Sequence, residues 1–108
     1  MNTLPPLTPE QRAAALEKGA IARRLRAGVK ADLKAGTTTL ATVLDDAETD
    51  PTLAKMKVTA LLEAMPGVGK VRAAQIMERL GIAETRRIGG LGFNQRGALV
   101  AEFEDALV

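Results

Sequence analysis

The 108-residue chain is predicted to be all-α, a long N-terminal helix followed by a small helical bundle. Three observations predict this. Apolar residues recur at i, i+3, i+4 and i+7 in several segments, the repeat of a helix face. Thr, Asp and Pro stand where helix starts need them, and Gly stands where helices end. No segment alternates apolar and polar residues long enough to make a useful strand. With two Phe and neither Trp nor Tyr, the core must be built from Leu, Val, Ile, Met and Ala. The length fits one domain that buries roughly two-thirds of its unfolded surface.

Residues 1–8 form a lead containing Pro5 and Pro6, expected to be flexible. Thr8-Pro9-Glu10-Gln11 is a helix start: Thr8 caps, Pro9 takes the first helical position and Gln11 completes a capping box. That helix is predicted to run to about Ala35, with Gly36 as its stop, so residues 9–36 form one long element. Ile21, Leu25, Val29 and Leu33 make an apolar stripe, and Leu16 lies off it. Gly19 weakens the helix, so only the part after it is expected to dock while the first turns project. On the docked part Arg23, Arg26, Lys30 and Lys34 share a face beside the stripe.

Residues 37–108 are expected to form the globular part. Thr37–Thr39 supply the cap of a short helix with Leu40, Val43, Leu44 and Ala47 inward. Asp45, Asp46, Glu48 and Asp50 follow; they lack the glycine turn and distal Glu of a calcium loop, and Asp50 is placed to cap the next helix. A helix from Pro51 to about Met65 is predicted to bury Val58, Leu61, Leu62 and Met65. Pro66-Gly67-Val68-Gly69 breaks it, and the next helix buries Ala73, Ile76, Met77 and Leu80 before Gly81 closes it in a left-handed cap. A turn through Thr85-Arg86-Arg87 and the glycine turn 89–92 lead to a last helix starting near Phe93 or Asn94, with Leu99, Val100 and Phe103 inward.

Composition removes whole classes of chemistry. The chain has no His, Cys or Ser, so it has no serine triad, no thiolate nucleophile and none of the commonest metal ligands. Neither metal nor cofactor is expected, and no enzyme activity. The aromatic residues are too few for a base-stacking platform. No apolar run approaches membrane-spanning length and no signal-peptide pattern is present, so a cytoplasmic protein without membrane or small-molecule ligands is expected. The net charge is only +2, but it comes in blocks: +4 over residues 9–36, −4 over 37–54, +5 over 55–96 and −3 over 97–108. Such a surface is bipolar, with one side suited to an anionic polymer.

Two constellations carry that reading. In the first, the Pro66–Arg72 hairpin presents backbone N–H groups around Gly67 to Lys70 at the start of a helix, with Lys70 and Arg72 beside them. Glycine leaves the backbone unobstructed, and the helix dipole favours an anion there. Arg72, Gln75 and Arg79 share the outer face of that helix. The hairpin lacks the GxxxxGK pattern and the preceding strand of a nucleotide phosphate loop. The second constellation runs from Arg86 to Arg96. There a glycine turn containing Gly90 feeds another helix start, with Arg86, Arg87 and Arg96 around it and Asn94 and Gln95 able to hydrogen-bond phosphate or minor groove. Each has a plain alternative, an ordinary helix–helix turn or a solvated arginine loop.

At these residues the chain resembles a known module. Pro66-Gly67-Val68-Gly69-Lys70-Val71-Arg72-Ala73 through Gly81-Ile82, then Arg86-Arg87-Ile88 and Leu91-Gly92 with Asn94-Gln95-Arg96, is similar to the helix–two-turns–helix of ribosomal protein S13 and of formamidopyrimidine-type DNA glycosylases. With the capped N-terminal helix, residues 8–104 resemble the actinobacterial integration host factors, small nucleoid-associated proteins unrelated in fold to the heterodimeric β-arm factor of the same name. The resemblance implies binding of double-stranded DNA with little sequence preference, effects on DNA bending or topology, and a place in the nucleoid. It puts the binding positions at Pro66–Arg72 and Arg86-Arg87. The glycosylases react through a separate domain with an N-terminal Pro nucleophile, whereas this chain starts Met1-Asn2-Thr3, so catalysis is not carried over. A monomer is expected, with several copies able to share one DNA. The alternatives are a structured-RNA binder and a helical protein-interaction domain.

Overall fold

The computed structural model describes residues 7–105. The flexible lead expected over residues 1–8 therefore falls mostly outside the described residues. Six α-helices follow in order: α1 Pro9–Ala35, α2 Leu40–Asp46, α3 Pro51–Ala54, α4 Val58–Glu63, α5 Lys70–Arg79 and α6 Phe93–Asp105, with a 3₁₀ turn at Ile88–Gly90. The described residues contain no strand, only one isolated antiparallel bridge between Lys57 and Arg87.

The caps form as the residue chemistry requires. Thr8 accepts from the Gln11 amide at 3.1 Å and its own amide donates to the Gln11 side chain at 2.9 Å, closing the capping box. Asp50 accepts from the Thr52 amide at 2.9 Å, with Pro51 at the first helical position. Gly81 closes α5 at φ 71°, where the Ile82 amide donates to the Met77 carbonyl at 2.8 Å and both side chains are buried. That is a Schellman ending, and a β-carbon would strain it.

The core forms where α2, α4, α5 and α6 meet the C-terminal end of α1. Leu33, Leu44, Val58, Leu61, Leu62, Ile76, Met77 and Leu99 are its most deeply buried members. Burying each such side chain contributes about 1.5–3 kcal/mol. Met65, Leu80, Val100 and Phe103 pack against this core only in part.

Two expectations are corrected. The single helix predicted over 51–65 is two helices, broken at Lys55-Met56-Lys57. There the backbone pairs with the later arginine turn: the Val58 amide donates to the Arg86 carbonyl at 3.0 Å and the Ile88 amide to the Met56 carbonyl at 2.9 Å. Those bonds compete with helix continuation, and their partner lies thirty residues further along the chain. The second correction is the docked face of α1. Its first turns, through Lys18, are exposed as expected, but Ile21 and Leu25 are exposed too, at 52% and 38%. A stripe spaced strictly at i+4 drifts about 40° per step around a helix of 3.6 residues per turn, so it cannot stay on one flat contact. The face that docks is Ala22, Arg26, Val29 and Leu33, at alternating spacings of four and three. Arg26 thus leaves the exposed basic face: it is half-buried, with its Nε buried and unpartnered, in a cleft shared with Thr52 and Lys55 of the α3 region.

Candidate nucleic-acid interface

The turn between α4 and α5 is built from inside out. Val68 is buried, pinning the hairpin to the core, so its backbone rather than its side chain is available outside. Its amide donates to the Met65 carbonyl at 3.1 Å, which tightens the turn. Gly67 at φ 76° takes the left-handed conformation that side chains oppose. Gly69 differs: its φ is −93°, open to any residue, and an added β-carbon would meet nothing within 4 Å. Nothing within the molecule therefore requires glycine at 69; what it leaves is bare backbone facing outward.

Gly69 caps α5 without a side-chain hydrogen bond, and among the described residues the amides of Lys70, Val71 and Arg72 have no acceptor. They project beside the exposed Lys70 and Arg72. The ion pairs formed among the described residues involve Arg79 and Arg96, leaving Lys70 and Arg72 unpaired. Exposed Pro66 rims the turn. Lys30 and Lys34 join the same region from α1, lining a hollow with Ala60 and Glu63 of α4, the helix that runs into the hairpin. Arg23 lies about two turns further toward the N-terminus, exposed.

The second constellation is differently made. Arg86 donates to the Gly90 carbonyl at 2.8 Å, and Arg87 donates to the Lys55 carbonyl. Gln95 is committed twice: its oxygen accepts from the Gly92 amide at 3.0 Å and its nitrogen donates to the Gly81 carbonyl at 3.1 Å, tying two turns together. Arg96 bridges α6 to the acidic segment by ion pairs with Asp45 and with Glu48, the latter at 2.7 Å. Asn94 is exposed. Arg79, predicted on the outer face of α5 with Arg72, is held bidentately by Glu102 at 2.5 and 2.9 Å. Its hydrogen bonds hold the Glu102 carboxyl below the usual range.

Comparisons with known proteins fit this geometry. Residues 33–103 match the S13-like H2TH domain family. The chain is 62% identical to the integration host factor of Streptomyces coelicolor over 93% of its own length and 94% of that protein. It is equally 62% identical to the integration host factor of Mycobacterium tuberculosis, over 95% and 98% of the two chains. The chain belongs to the integration host factor family. A solved structure described as sIHF bound to an 8bp palindromic DNA superposes with a TM-score of 0.79 at 56% identity, covering 81% of this chain and 98% of that one.

Against this family background, the structure adds two cations that the sequence reading missed. The bridge between Lys57 and Arg87, and the bond from Arg87 to the Lys55 carbonyl, bring exposed Lys55 and Lys57 to the arginine turn. The signal in the sequence was faint: two lysines flanking a buried Met56 inside what read as one helix. From Lys57 to the hairpin is about 12 Å of α4, so the two cationic regions sit at opposite ends of one short helix.

Proposed function

We propose that this protein binds double-stranded DNA through the phosphate backbone, with little sequence preference, and acts as a non-catalytic architectural component of the nucleoid. The observation that carries this reading is the uncapped start of α5. Its free amides stand behind Gly67 and Gly69, with Lys70 and Arg72 unpaired beside them. Amides at a helix start and mobile cations recognise phosphate oxygens and carry no base code. Kinship with a family that includes a DNA-bound member supports duplex DNA as the source of those phosphates.

In this reading Pro66–Arg72 is the main grip, with Lys30 and Lys34 as its extension. Arg86, Arg87 and Gly90 hold the second contact and its shape, Asn94 and Arg23 lie at the edges, and Gln95, Arg96 and Arg26 support the fold. Each copy grips DNA by itself, as a monomer. With five to eight phosphates neutralised, log K falls with log salt at a slope of roughly −5 to −7.

The S13-like match favours one competing reading, structured RNA. Competition tests it: a labelled random-sequence DNA duplex is challenged with unlabelled DNA duplex or A-form RNA duplex. The proposal expects DNA to compete at least about tenfold better, because A-form geometry changes phosphate spacing across the grooves. Equal or better competition by RNA would overturn it.

A further inference from the structure

Two exposed apolar features have no partner among the described residues. Phe93 opens α6 and is 91% exposed. With Gly97 and Val100, at i+4 and i+7, it forms one face of α6, and with Ala41 of α2 that face lines an open groove of about 480 Å³. The wall of the groove is acidic: Asp45 and Glu48 are 69% and 65% exposed, and the single Arg96 paired to both leaves one negative charge in excess. The neighbouring segments 37–54 and 97–108 contain acidic side chains and no Lys or Arg, while on its far side Glu48 borders the arginine turn at Ile88 and Gly89. Gly97 lowers the helix propensity of α6 by about 1 kcal/mol relative to Ala. A β-carbon there would meet nothing within 4 Å, so no internal contact requires glycine; its absence keeps the groove deep.

The second feature is the projecting start of α1. Leu16 is 72% exposed, and Arg12 and Arg23 stand at i−4 and i+7 on its own face, with Ala13 and Ala20 beside it. It is a basic amphipathic helix turn carrying one large apolar knob, the complement in charge and shape of an acidic groove with an apolar floor. Both features are exposed in the same molecule, so they do not meet within one copy.

We propose that the occupant of the α2/α6 groove is the projecting α1 of a second copy, with Leu16 against Phe93 and Arg12 toward Asp45 and Glu48. The contact is head-to-tail, so each copy uses a different surface toward each neighbour and the array stays open. It rests on the DNA-binding reading in one respect: duplex DNA holds neighbouring copies at effective concentrations on the order of millimolar, where so small a contact suffices. The array gives the protein cooperative coverage of long DNA.

The test exploits a chain without cysteine. Leu16→Cys protein and Phe93→Cys protein are mixed on a duplex of about 100 base pairs and oxidised. The proposal expects the mixed disulfide dimer to exceed each same-variant dimer by roughly tenfold, and Leu16→Ser protein to lose cooperativity on the long duplex while binding a short one as wild type does. Random crosslinking, self-pairing of the Leu16→Cys protein alone, or unchanged cooperativity in Leu16→Ser overturns it. Wild-type binding to the short duplex separates the two ideas: its absence refutes the DNA reading, whereas its presence with random crosslinking refutes only the array.

Discussion

The two glycine turns of this protein look alike in sequence and differ in structure. Each feeds a helix start and each has cations beside it. At Pro66–Arg72 the cations are exposed and form no ion pair among the described residues, and the first-turn amides of α5 have no side-chain cap. At Arg86–Arg96 the same residue types close the molecule on itself: Arg86 to Gly90, Arg87 to Lys55, Gln95 to Gly81 and Gly92, Arg96 to Asp45 and Glu48. Arginine beside a glycine turn is therefore ambiguous until its acceptors are known. A guanidinium has five donors and satisfies some of them on its own chain when a carbonyl or carboxylate is within reach. The first turn leaves its donors free, as the proposed grip requires; the second spends most of its donors on its own shape, with some left at its surface.

The largest expected effect follows from that contrast. Lys70→Ala with Arg72→Ala removes two exposed charges, each worth about 1.5–3 kcal/mol in charge-assisted contact, so duplex affinity falls by roughly two to four orders of magnitude at low salt. Thermal stability stays within a few degrees of wild type, and gel shift with differential scanning fluorimetry reads both. Arg86→Ala with Arg87→Ala sharpens the comparison: affinity falls less, by about tenfold and equally for all sequences, while stability drops by roughly 1–2 kcal/mol as two internal bonds are lost. A larger affinity loss than in the first variant would reverse the ranking of the two turns.

Gly69→Ala probes the hairpin without touching charge. Its β-carbon meets open space, so folding changes by no more than about 1 kcal/mol, yet the methyl stands where phosphate must approach and affinity falls several-fold. Gly89→Ala is the converse. A β-carbon there would sit 3.1 Å from the Ala54 β-carbon and 3.3 Å from its carbonyl oxygen, so the variant loses about 1–3 kcal/mol by chemical denaturation. DNA binding persists at temperatures where it remains folded. The smallest effect concerns Glu102, whose carboxyl is lowered by its hydrogen bonds to Arg79. That pair stabilises the fold above the ordinary carboxylate range and is lost as pH falls through the lowered value, so Glu102→Gln lowers stability slightly at neutral pH and flattens the acid limb, the difference from wild type vanishing at low pH.

Local chemistry explains which parts of this fold were legible in the sequence. Thr8, Asp50, Gly36 and Gly81 act on neighbours within six residues, and all four cap as their type and position predict. The break at Lys55–Lys57 was hidden because its cause, the pairing with Arg86–Ile88, comes from distant chain. Arg26 was misplaced because an i+4 stripe drifts across a straight helix and the contact selects a different set of residues. The ion pairs of Arg96 reach back 48 and 51 residues, beyond any spacing rule. The hairpin was readable because both its turn and its helix start are local. Which cations stay free depends on tertiary neighbours, and only the structure orders them.

The most direct measurement is the salt dependence of binding to a random-sequence duplex of about 20 base pairs, for wild type and the Lys70→Ala, Arg72→Ala variant side by side. The account predicts a steep wild-type slope, roughly −5 to −7 on log–log axes, flattened by about 2 in the variant as two phosphate contacts vanish. A wild-type slope near zero, or a variant with unchanged affinity and slope, would contradict the claim that the uncapped start of α5 is the grip.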